Sequence, residues 1–483
     1  MRISSKNLGF SALLASALVA AGACGDDDDD SDGGPVVTEG AAELVPFDCP
    51  EAPATAGEHV VMIIDHGFDL SLPVFQDKLA GCFRRVCDEV APPPPPADAA
   101  EAKQRFIDDL NRPDNCRLES GALLRKSRSF ADIAPSKEAW NAQVGAKTMT
   151  QSFPDFAKII RVIGGEDTYS YHGTWVASVI AYQNPNVKFV VVANDAIRRA
   201  DVAPSCPTAA DLDAEIALYN DPDVRAAYVA APYGQASQQV DDVVRRLGVT
   251  LVNESFGSEP WRELNTICPG PDWERYYATT TELNNLRFTA LTQAGTLDGM
   301  SVLTIAASGN DGATLDREAD SLRCGGGRQP DGFGPGSSTM LVGSYDPATE
   351  ARSAFSNVGA CVDAYAPGED ILVSGPDGWL NVVSGTSFAA PMAVRFLTLG
   401  QPAATGGPGL ASALLGARES NSNLPITGFP AALFYSDRTT TVNPDFSSVN
   451  GRRSAPPAAR RPAFDSRRPL DPRRPWGLRR DRF

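Results

Sequence analysis

The run VVMIID at positions 60–65 has five consecutive apolar residues, ends in an acidic residue and is soon followed by Gly67. A short apolar run without polar alternation is typical of a strand buried on both faces of a parallel sheet. Similar runs recur in the chain; they are KIIRVIGG (158–165), VKFVVVA (187–193), VTLVN (249–253), SVLTIAA (301–307) and TMLVGSY (339–345). The run at 60–65 therefore predicts one strand of a larger sheet.

Helical patterns separate several of these runs. They are HGTWVASVIAY (172–182), QQVDDVVRRLG (238–248) and TTTELNNLRFTALTQAG (279–295). Strands that alternate with helices predict an α/β fold with a mostly parallel sheet. In such a fold the functional residues are expected at the carboxyl ends of the strands.

Two regions depart from this alternation. Residues 79–156 contain PPPPP at 92–96, three cysteines and the helix-like DAAEAKQRFIDDLN at 98–111, and we interpret them as a helical insertion. Residues 437–483 are rich in Arg and Pro, with eleven Arg and three Asp from position 451 onward. A tail of this composition is expected to be disordered.

The N-terminus has the features of an export signal. Within residues 1–23, Arg2 and Lys6 precede a mostly apolar stretch, and AGA stands directly before Cys24. This pattern resembles a bacterial lipoprotein signal, which implies acylation of Cys24 and a place in the cell envelope. Plain secretion remains the alternative. Residues 24–57, which begin with GDDDDDSDGG after the cysteine, are predicted to be a solvated acidic tether.

Charge and cysteine content exclude some partners. The net charge of −17 argues against nucleic acid, because such binding needs basic surface to neutralise phosphates. No Cys-x-x-Cys pair suggests zinc, and beyond residues 1–23 no apolar run approaches 18 residues, so membrane contact is expected only through lipid on Cys24. Eight further cysteines permit four disulfides of undetermined pairing: Cys49, Cys82, Cys87, Cys116, Cys206, Cys268, Cys324 and Cys361.

The stretch SGTSFAAP at 384–391 raises a catalytic hypothesis, because it places Ser387 among small residues. A tightly packed turn explains the same composition. A nucleophilic serine requires a base, an orienting acid and an oxyanion donor elsewhere in the chain.

Three residues can supply those groups. His172 opens a helical pattern and is the candidate base, while Asp65 closes its strand and can orient the imidazole. Asn310, in TIAASGNDG, can donate a hydrogen bond to an oxyanion together with the backbone N–H of Ser387. Each also has an ordinary structural explanation when it is taken alone: a hydrogen-bonded histidine, a capping aspartate and a turn asparagine.

Four segments together resemble the subtilisin-like serine peptidases. In chain order they are IIDHGFD (63–69), HGTWVAS (172–178), AASGNDG (306–312) and SGTSFAAP (384–391). The order Asp, His, Ser separates this family from others with the same catalytic groups. The resemblance implies a three-layer α/β domain at 58–436 and a serine endopeptidase that works through an acyl-enzyme. It assigns Asp65 as orienting acid, His172 as general base, Asn310 as oxyanion amide and Ser387 as nucleophile.

The resemblance also implies where substrate binds. NESFGS (253–258) is similar to the segment whose backbone pairs with substrate, which assigns Ser255, Phe256 and Gly257 to the lining of the cleft. AASGNDG adds Ala307, Ser308 and Gly309. A protein or peptide substrate is implied, with no cofactor required for catalysis. Structural calcium is common among relatives, but no segment specifies a metal site here, and the oligomeric state is left open.

Some features differ from the family pattern. His66 follows Asp65 where a small hydroxyl residue is usual, and Trp175 replaces a second histidine. No propeptide is recognisable between Cys24 and the first strand, which favours one alternative: a catalytically silent subtilase fold that serves as a surface binding protein. An esterase with the same catalytic groups is a second alternative.

Overall fold

The computed structural model describes most of the region that contains these motifs. The described residues are 44–47, 49, 54–87, 96, 98–111, 116–125, 172–193, 206–231, 235–255, 261–293, 302–316, 339–374 and 380–413, apart from 66, 71, 73, 76, 348, 350, 404, 406–408 and 411. Several predictions lie outside them: the signal at 1–23, lipidation of Cys24, the strand at 158–165, the roles of Phe256 and Gly257, and the tail at 437–483.

The elements follow the predicted alternation. The strands are β1 (Leu44–Phe47), β2 (His59–Asp65), β3 (Leu79–Cys87), β4 (Cys116–Ser120), β5 (Ala122–Arg125), β6 (Val187–Ala193), β7 (Leu251–Glu254), β8 (Leu303–Ala307), β9 (Thr339–Asp346), β10 (Ala351–Arg352), β11 (Ala364–Pro367), β12 (Ile371–Ser374) and β13 (Leu380–Val383). The helices are α1 (Ala99–Asn111), α2 (His172–Ala181), α3 (Ala209–Asn220), α4 (Pro222–Ala230), α5 (Gln235–Leu247), α6 (Trp261–Ile267), α7 (Trp273–Gln293) and α8 (Thr386–Gly400).

One nine-stranded sheet organises the described chain. Its order is β10-β9-β8-β7-β2-β6-β3-β4, and β11 also pairs with β9. Within it only β3–β4 and β9–β10 are antiparallel, and the other pairs are parallel. The predicted mostly parallel α/β sheet is confirmed. Strand β2 lies inside the sheet, between β6 and β7, so its carboxyl end is central.

Helices cover both faces of this sheet. Val61 and Ile63 of β2 belong to the apolar cluster that includes α2 and α8. Val60, Met62 and Ile64 belong to the cluster on the other face, which includes α5. Burying such a side chain stabilises the fold by about 1.5–3 kcal/mol, so β2 is a major source of stability. The predicted three layers are confirmed.

A third apolar cluster joins helices outside these layers. It contains Phe106 of α1, Tyr219 of α3, Tyr228 of α4 and Tyr277 of α7. A disulfide from Cys206 to Cys268 connects the segment before α3 to the residue after α6. None of the described helices has both the length and the hydropathy of a membrane span.

The sheet extends into the segment that was predicted to be an insertion. Residues 79–87 form β3, which pairs in parallel with β6. The charged Arg84 and Arg85 interrupt the apolar pattern there, and the sequence analysis therefore missed the strand. Arg84 forms an ion pair with Glu119 of β4 at 2.5 Å. The regular core thus continues to Cys87, whereas the helix predicted at 98–111 is present as α1.

Described structure is already present before residue 57, the predicted end of the tether. Strand β1 pairs antiparallel with β5. A disulfide joins Cys49 to Cys82 of β3. Cys116 and Cys361 are also disulfide-bonded, so the prediction of disulfides is confirmed for these cysteines. The apolar sequence LVPF and the anchored cysteine explain why residues 44–49 depart from the predicted solvated segment.

Candidate active site

Asp65 and His172 meet at the central edge of the sheet. Asp65 ends β2 and is fully buried, whereas His172 begins α2 and its side chain is 16% exposed. His172 Nδ1 lies 2.9 Å from each carboxylate oxygen of Asp65. Because a carboxylate accepts hydrogen bonds, the proton on Nδ1 is held there, and the neutral ring keeps its lone pair on Nε2.

Close packing fixes the start of α2 against the loop after β2. Thr174 donates its backbone N–H to Gly67 O at 3.2 Å, and its Oγ1 accepts from Asp69 N at 2.8 Å. A methyl group on Gly173 would lie 2.6 Å from the ring of Phe68. Only glycine leaves room for that ring, so packing as well as the sequence motif requires glycine at position 173.

Ser387 is the second residue of α8 and is half-buried. Its backbone N–H belongs to the first turn, where amides have no intrahelical partner and the helix dipole favours negative charge. The ring centroid of the next residue, Phe388, lies 5.6 Å from that of His172. Within the described residues Ser387 Oγ makes no hydrogen bond to His172. Such contacts often tighten only when substrate binds.

Asn310 lies just beyond β8, and Thr386 holds its side chain. Asn310 Oδ1 accepts from Thr386 N at 2.8 Å and from Thr386 Oγ1 at 2.9 Å. These two donors assign the oxygen of the amide, so Nδ2 is the outward donor. A methyl group on Gly385 would lie 3.6 Å from Asn310 Nδ2 and 3.7 Å from Ser387 N, so both donors border one space.

The predicted substrate-binding residues lie at the same edge, where they are described. Ser255 follows β7 and is buried, and its Oγ accepts from Asn253 Nδ2 at 2.8 Å. Ala307 and Ser308 are buried at the end of β8, and Gly309 has φ +101°. Since β2, β7 and β8 are parallel neighbours, Asp65 and these residues share one edge of the sheet.

Sequence reasoning missed two residues that shape the site. The sequence analysis gave Thr386 no role of its own, yet Thr386 anchors the amide of Asn310. Asn357 was not singled out, although it makes hydrogen bonds to the loop around Asn310. These contacts span 46 and 49 residues, so no local pattern in the sequence reveals them.

Metal binding has no support in the described part of the chain. There, no group of three or more His, Cys, Asp or Glu side chains could hold an ion. Structural calcium remains an untested prediction.

The sequence of this chain is also similar to that of known proteins. The model of the subtilase family matches residues 57–404, more than half of the chain. The chain belongs to the subtilase family. It is 28% identical over 172 residues to alkaline serine exoprotease A of Vibrio alginolyticus, which covers 34% of this chain and 28% of that protein. It is 46% identical over 65 residues to subtilisin-like protease 7 of Arthroderma otae, covering 13% and 16% of the two chains.

This subtilase thus spans less than a third of the length of these curated relatives. Among solved structures it is similar to a cold adapted subtilisin-like serine proteinase, with 17% identity, 83% of this chain and 92% of that chain covered, and a TM-score of 0.33.

Trp175, which departs from the family pattern, belongs to the core of this subtilase. It is 4% exposed and lies in the apolar cluster that includes α2 and α8. The substitution therefore changes the support beneath His172 and removes none of the four candidate groups. His66, the other departure, lies outside the described residues.

Proposed function

We propose that this subtilase is a serine endopeptidase that hydrolyses peptide bonds in proteins or peptides through an acyl-enzyme. Ser387 is the nucleophile, His172 the general base, Asp65 the orienting acid and Asn310 the oxyanion donor. The contact between His172 Nδ1 and the buried Asp65 carboxylate carries the proposal, because it leaves Nε2 to accept a proton.

In the acylation step, Ser387 Oγ attacks the carbonyl carbon of the scissile bond while its proton moves to His172 Nε2. The carbonyl oxygen becomes an oxyanion, and Asn310 Nδ2 and Ser387 N donate hydrogen bonds to it. Asp65 stabilises the imidazolium. The tetrahedral intermediate then collapses, the C–N bond breaks, and His172 gives its proton to the departing amine.

In the deacylation step, a water molecule gives a proton to His172 and attacks the ester carbon. The same two donors stabilise the second oxyanion. Collapse breaks the bond to Ser387 Oγ, and His172 returns the proton to that oxygen. Side chains and backbone supply every group in this cycle, so we expect no cofactor requirement.

For substrate binding, we propose that an extended peptide adds as a strand along Ser255, Phe256 and Gly257. Ala307, Ser308 and Gly309 form the opposite lining. The common sheet edge of Ser255 and Ala307 supports this placement. Backbone pairing implies recognition of extended chain, with side-chain preference set by the pocket walls.

We further propose that the protein is exported and anchored in the cell envelope by lipid on Cys24. The disulfides of Cys49 and Cys206 support an oxidising compartment. The mass of the mature N-terminus tests this directly. Acyl chains on Cys24, and release from membranes by Cys24→Ser, are expected; an unmodified N-terminus would favour plain secretion.

The proposed activity is tested with an internally quenched peptide that is blocked at both ends. An exopeptidase needs a free terminus, so cleavage of this substrate identifies internal hydrolysis. Wild type should cleave it and Ser387→Ala should not, with unchanged melting. Undiminished cleavage by Ser387→Ala would refute the nucleophile, and a folded wild type inert to every peptide and ester tried would favour the silent binding protein.

A further inference from the structure

Asn357 is a fully buried residue whose side chain and backbone bind the loop at 308–313. This loop carries Asn310. The five hydrogen bonds are Asn357 N to Gly309 O (3.1 Å), Nδ2 to Ser308 O (2.9 Å), Nδ2 to Asp311 Oδ2 (3.0 Å), Asp311 N to Oδ1 (3.2 Å) and Ala313 N to Oδ1 (2.8 Å). The amide therefore uses both donor hydrogens and both acceptor positions on one loop.

The loop is curled tightly around this amide. A methyl group on Gly309 would lie 2.3 Å from Asn357 Nδ2, closer than any side chain tolerates. Gly309 also has φ +101°, a conformation that other residues rarely adopt. Both features mean that the loop has its shape because the amide of Asn357 occupies its concave side.

Asn310 lies between Gly309 and Asp311, which both make hydrogen bonds with Asn357. Gly309 O accepts from Asn357 N, and Asp311 N donates to Asn357 Oδ1, so the backbone is anchored on both sides of Asn310. Thr386 anchors the far end of the Asn310 side chain. Backbone and tip together define where Asn310 Nδ2 points.

The segment that holds Asn357 is itself fixed to the sheet. Ser344 of β9 donates its backbone N–H to Ser356 Oγ at 2.9 Å, and its O accepts from Ser353 N at 3.0 Å. All three serines are buried. Asn357 thus links the loop at 308–313 to strand β9 in the core.

We infer that Asn357 is a positioning residue for the oxyanion donor Asn310. The inference rests on the proposed catalytic role of Asn310, and Asn357 itself touches no substrate. Displacement of a catalytic donor by about 1 Å is enough to cost up to about a hundredfold in rate. Loss of the Asn357 side chain should therefore lower turnover while leaving substrate affinity nearly unchanged.

A double-mutant cycle tests this with kcat and KM measured for wild type, Asn310→Ala, Asn357→Ala and the double variant. Asn310→Ala should lower kcat by about 10²–10³. Asn357→Ala should lower kcat by about tenfold to a hundredfold at constant KM. In the double variant the second change should add little, because the group that Asn357 positions is already gone.

Asn184→Ala is the matched control. Asn184 is equally buried and donates to Ile180 O and Thr398 Oγ1 far from the loop, so its loss should lower the melting temperature without changing kcat. If Asn357→Ala does not fold, Asn357→Asp replaces it in the cycle. That variant keeps the shape and the acceptor oxygen but loses both Nδ2 donors. We expect it to lower kcat as Asn357→Ala does in the wild-type background, and to leave kcat nearly unchanged in the Asn310→Ala background.

Two results separate the two claims. Wild-type kcat in Asn310→Ala would refute the proposed role of Asn310 and remove the basis of the inference. A slow Asn310→Ala variant, combined with either unchanged kcat in the Asn357 variants or an equal loss in both backgrounds, would overturn the inference alone.

Discussion

The proposed acid–base pair, Asp65 and His172, differs from the proposed oxyanion pair, Asn310 and Ser387, in what holds it in place. Asp65 ends an interior strand whose seven residues are all buried, and every residue of α2 after His172 is buried. Asn310 is exposed on a loop. Apolar packing, together with two hydrogen bonds of Thr174, supports the first pair. Hydrogen bonds from Thr386 and Asn357 support the second pair.

This difference predicts which kind of substitution disturbs each pair of residues. The packing energy around the acid–base pair is spread over many contacts, so the pair is sensitive to the volume of the side chains around it. It also depends on the charge of Asp65 itself. The loop of the oxyanion pair is held by individual hydrogen bonds, so the loss of one of them changes its geometry. Apart from changes to Asp65 itself, polar substitutions should therefore disturb mainly the second pair, and steric substitutions mainly the first.

The largest effect is expected from Asp65→Asn. The amide preserves shape but can donate to Nδ1, which permits the wrong tautomer of His172, and kcat should fall by about 10⁴ with the fold retained. Asp69→Asn, on the adjoining loop, is the control and should keep near wild-type turnover. A severe Asp69→Asn and a mild Asp65→Asn, measured by peptide hydrolysis, would require another acid.

A smaller effect is expected from Thr386→Val, which removes hydrogen bonds that hold Asn310 and leaves Asp65 and His172 unchanged. The change removes Oγ1, and with it one donor to Asn310 and the acceptor for Gly309 N, while the backbone bond remains. We expect kcat to fall about tenfold at constant KM, as for modest misplacement of a donor. Thr386→Ser keeps the hydroxyl and should be near wild type; equal losses in both variants would contradict this account.

Gly173→Ala tests the steric sensitivity of the acid–base pair. The added methyl meets the ring of Phe68, which is buried and packs on Phe75 with 6.2 Å between ring centroids. Overpacking of this kind should lower the free energy of unfolding by about 1–3 kcal/mol, measured by urea denaturation. Gly400→Ala, at a glycine with open space around it, is the control and should be nearly neutral.

A double variant shows whether the loss of stability in Gly173→Ala comes from the contact with Phe68. Gly173→Ala with Phe68→Ala should lose less stability than the sum of the single losses, because removal of the ring makes room for the methyl. Strict additivity would show that the strain arises elsewhere.

The smallest effect lies outside both pairs, at Glu215 in α3. Burial raises the pKa of this carboxyl, although Tyr219 and Tyr276 donate hydrogen bonds to it. The folded state then holds its proton to higher pH than the unfolded state, so this contribution to stability is present at low pH and lost as pH rises through the folded pKa. Melting of Glu215→Gln should lack that decline, whereas Glu282→Gln, an exposed change on α7, should retain it.

How much of this could be predicted from the sequence follows the same division. The apolar run ending in Asp65 and the helical pattern opening at His172 are local signals, so the acid–base pair was assigned to the correct elements. Asn310 and Ser387 were proposed from their motifs, and the structure places their donors beside one space. The contacts of Asn357 and the strand containing Arg84 were missed, because hydrogen bonds across 46 residues and charged residues paired within a sheet leave no periodic pattern.

Labelling with a serine-directed phosphonate, with the adduct located by peptide mass spectrometry, tests whether Ser387 is a nucleophile activated by His172. We expect one adduct per chain, on Ser387, formed far more slowly in Asp65→Asn and absent in Ser387→Ala. Stoichiometric labelling of another residue, or equal labelling of Ser387→Ala, would contradict it.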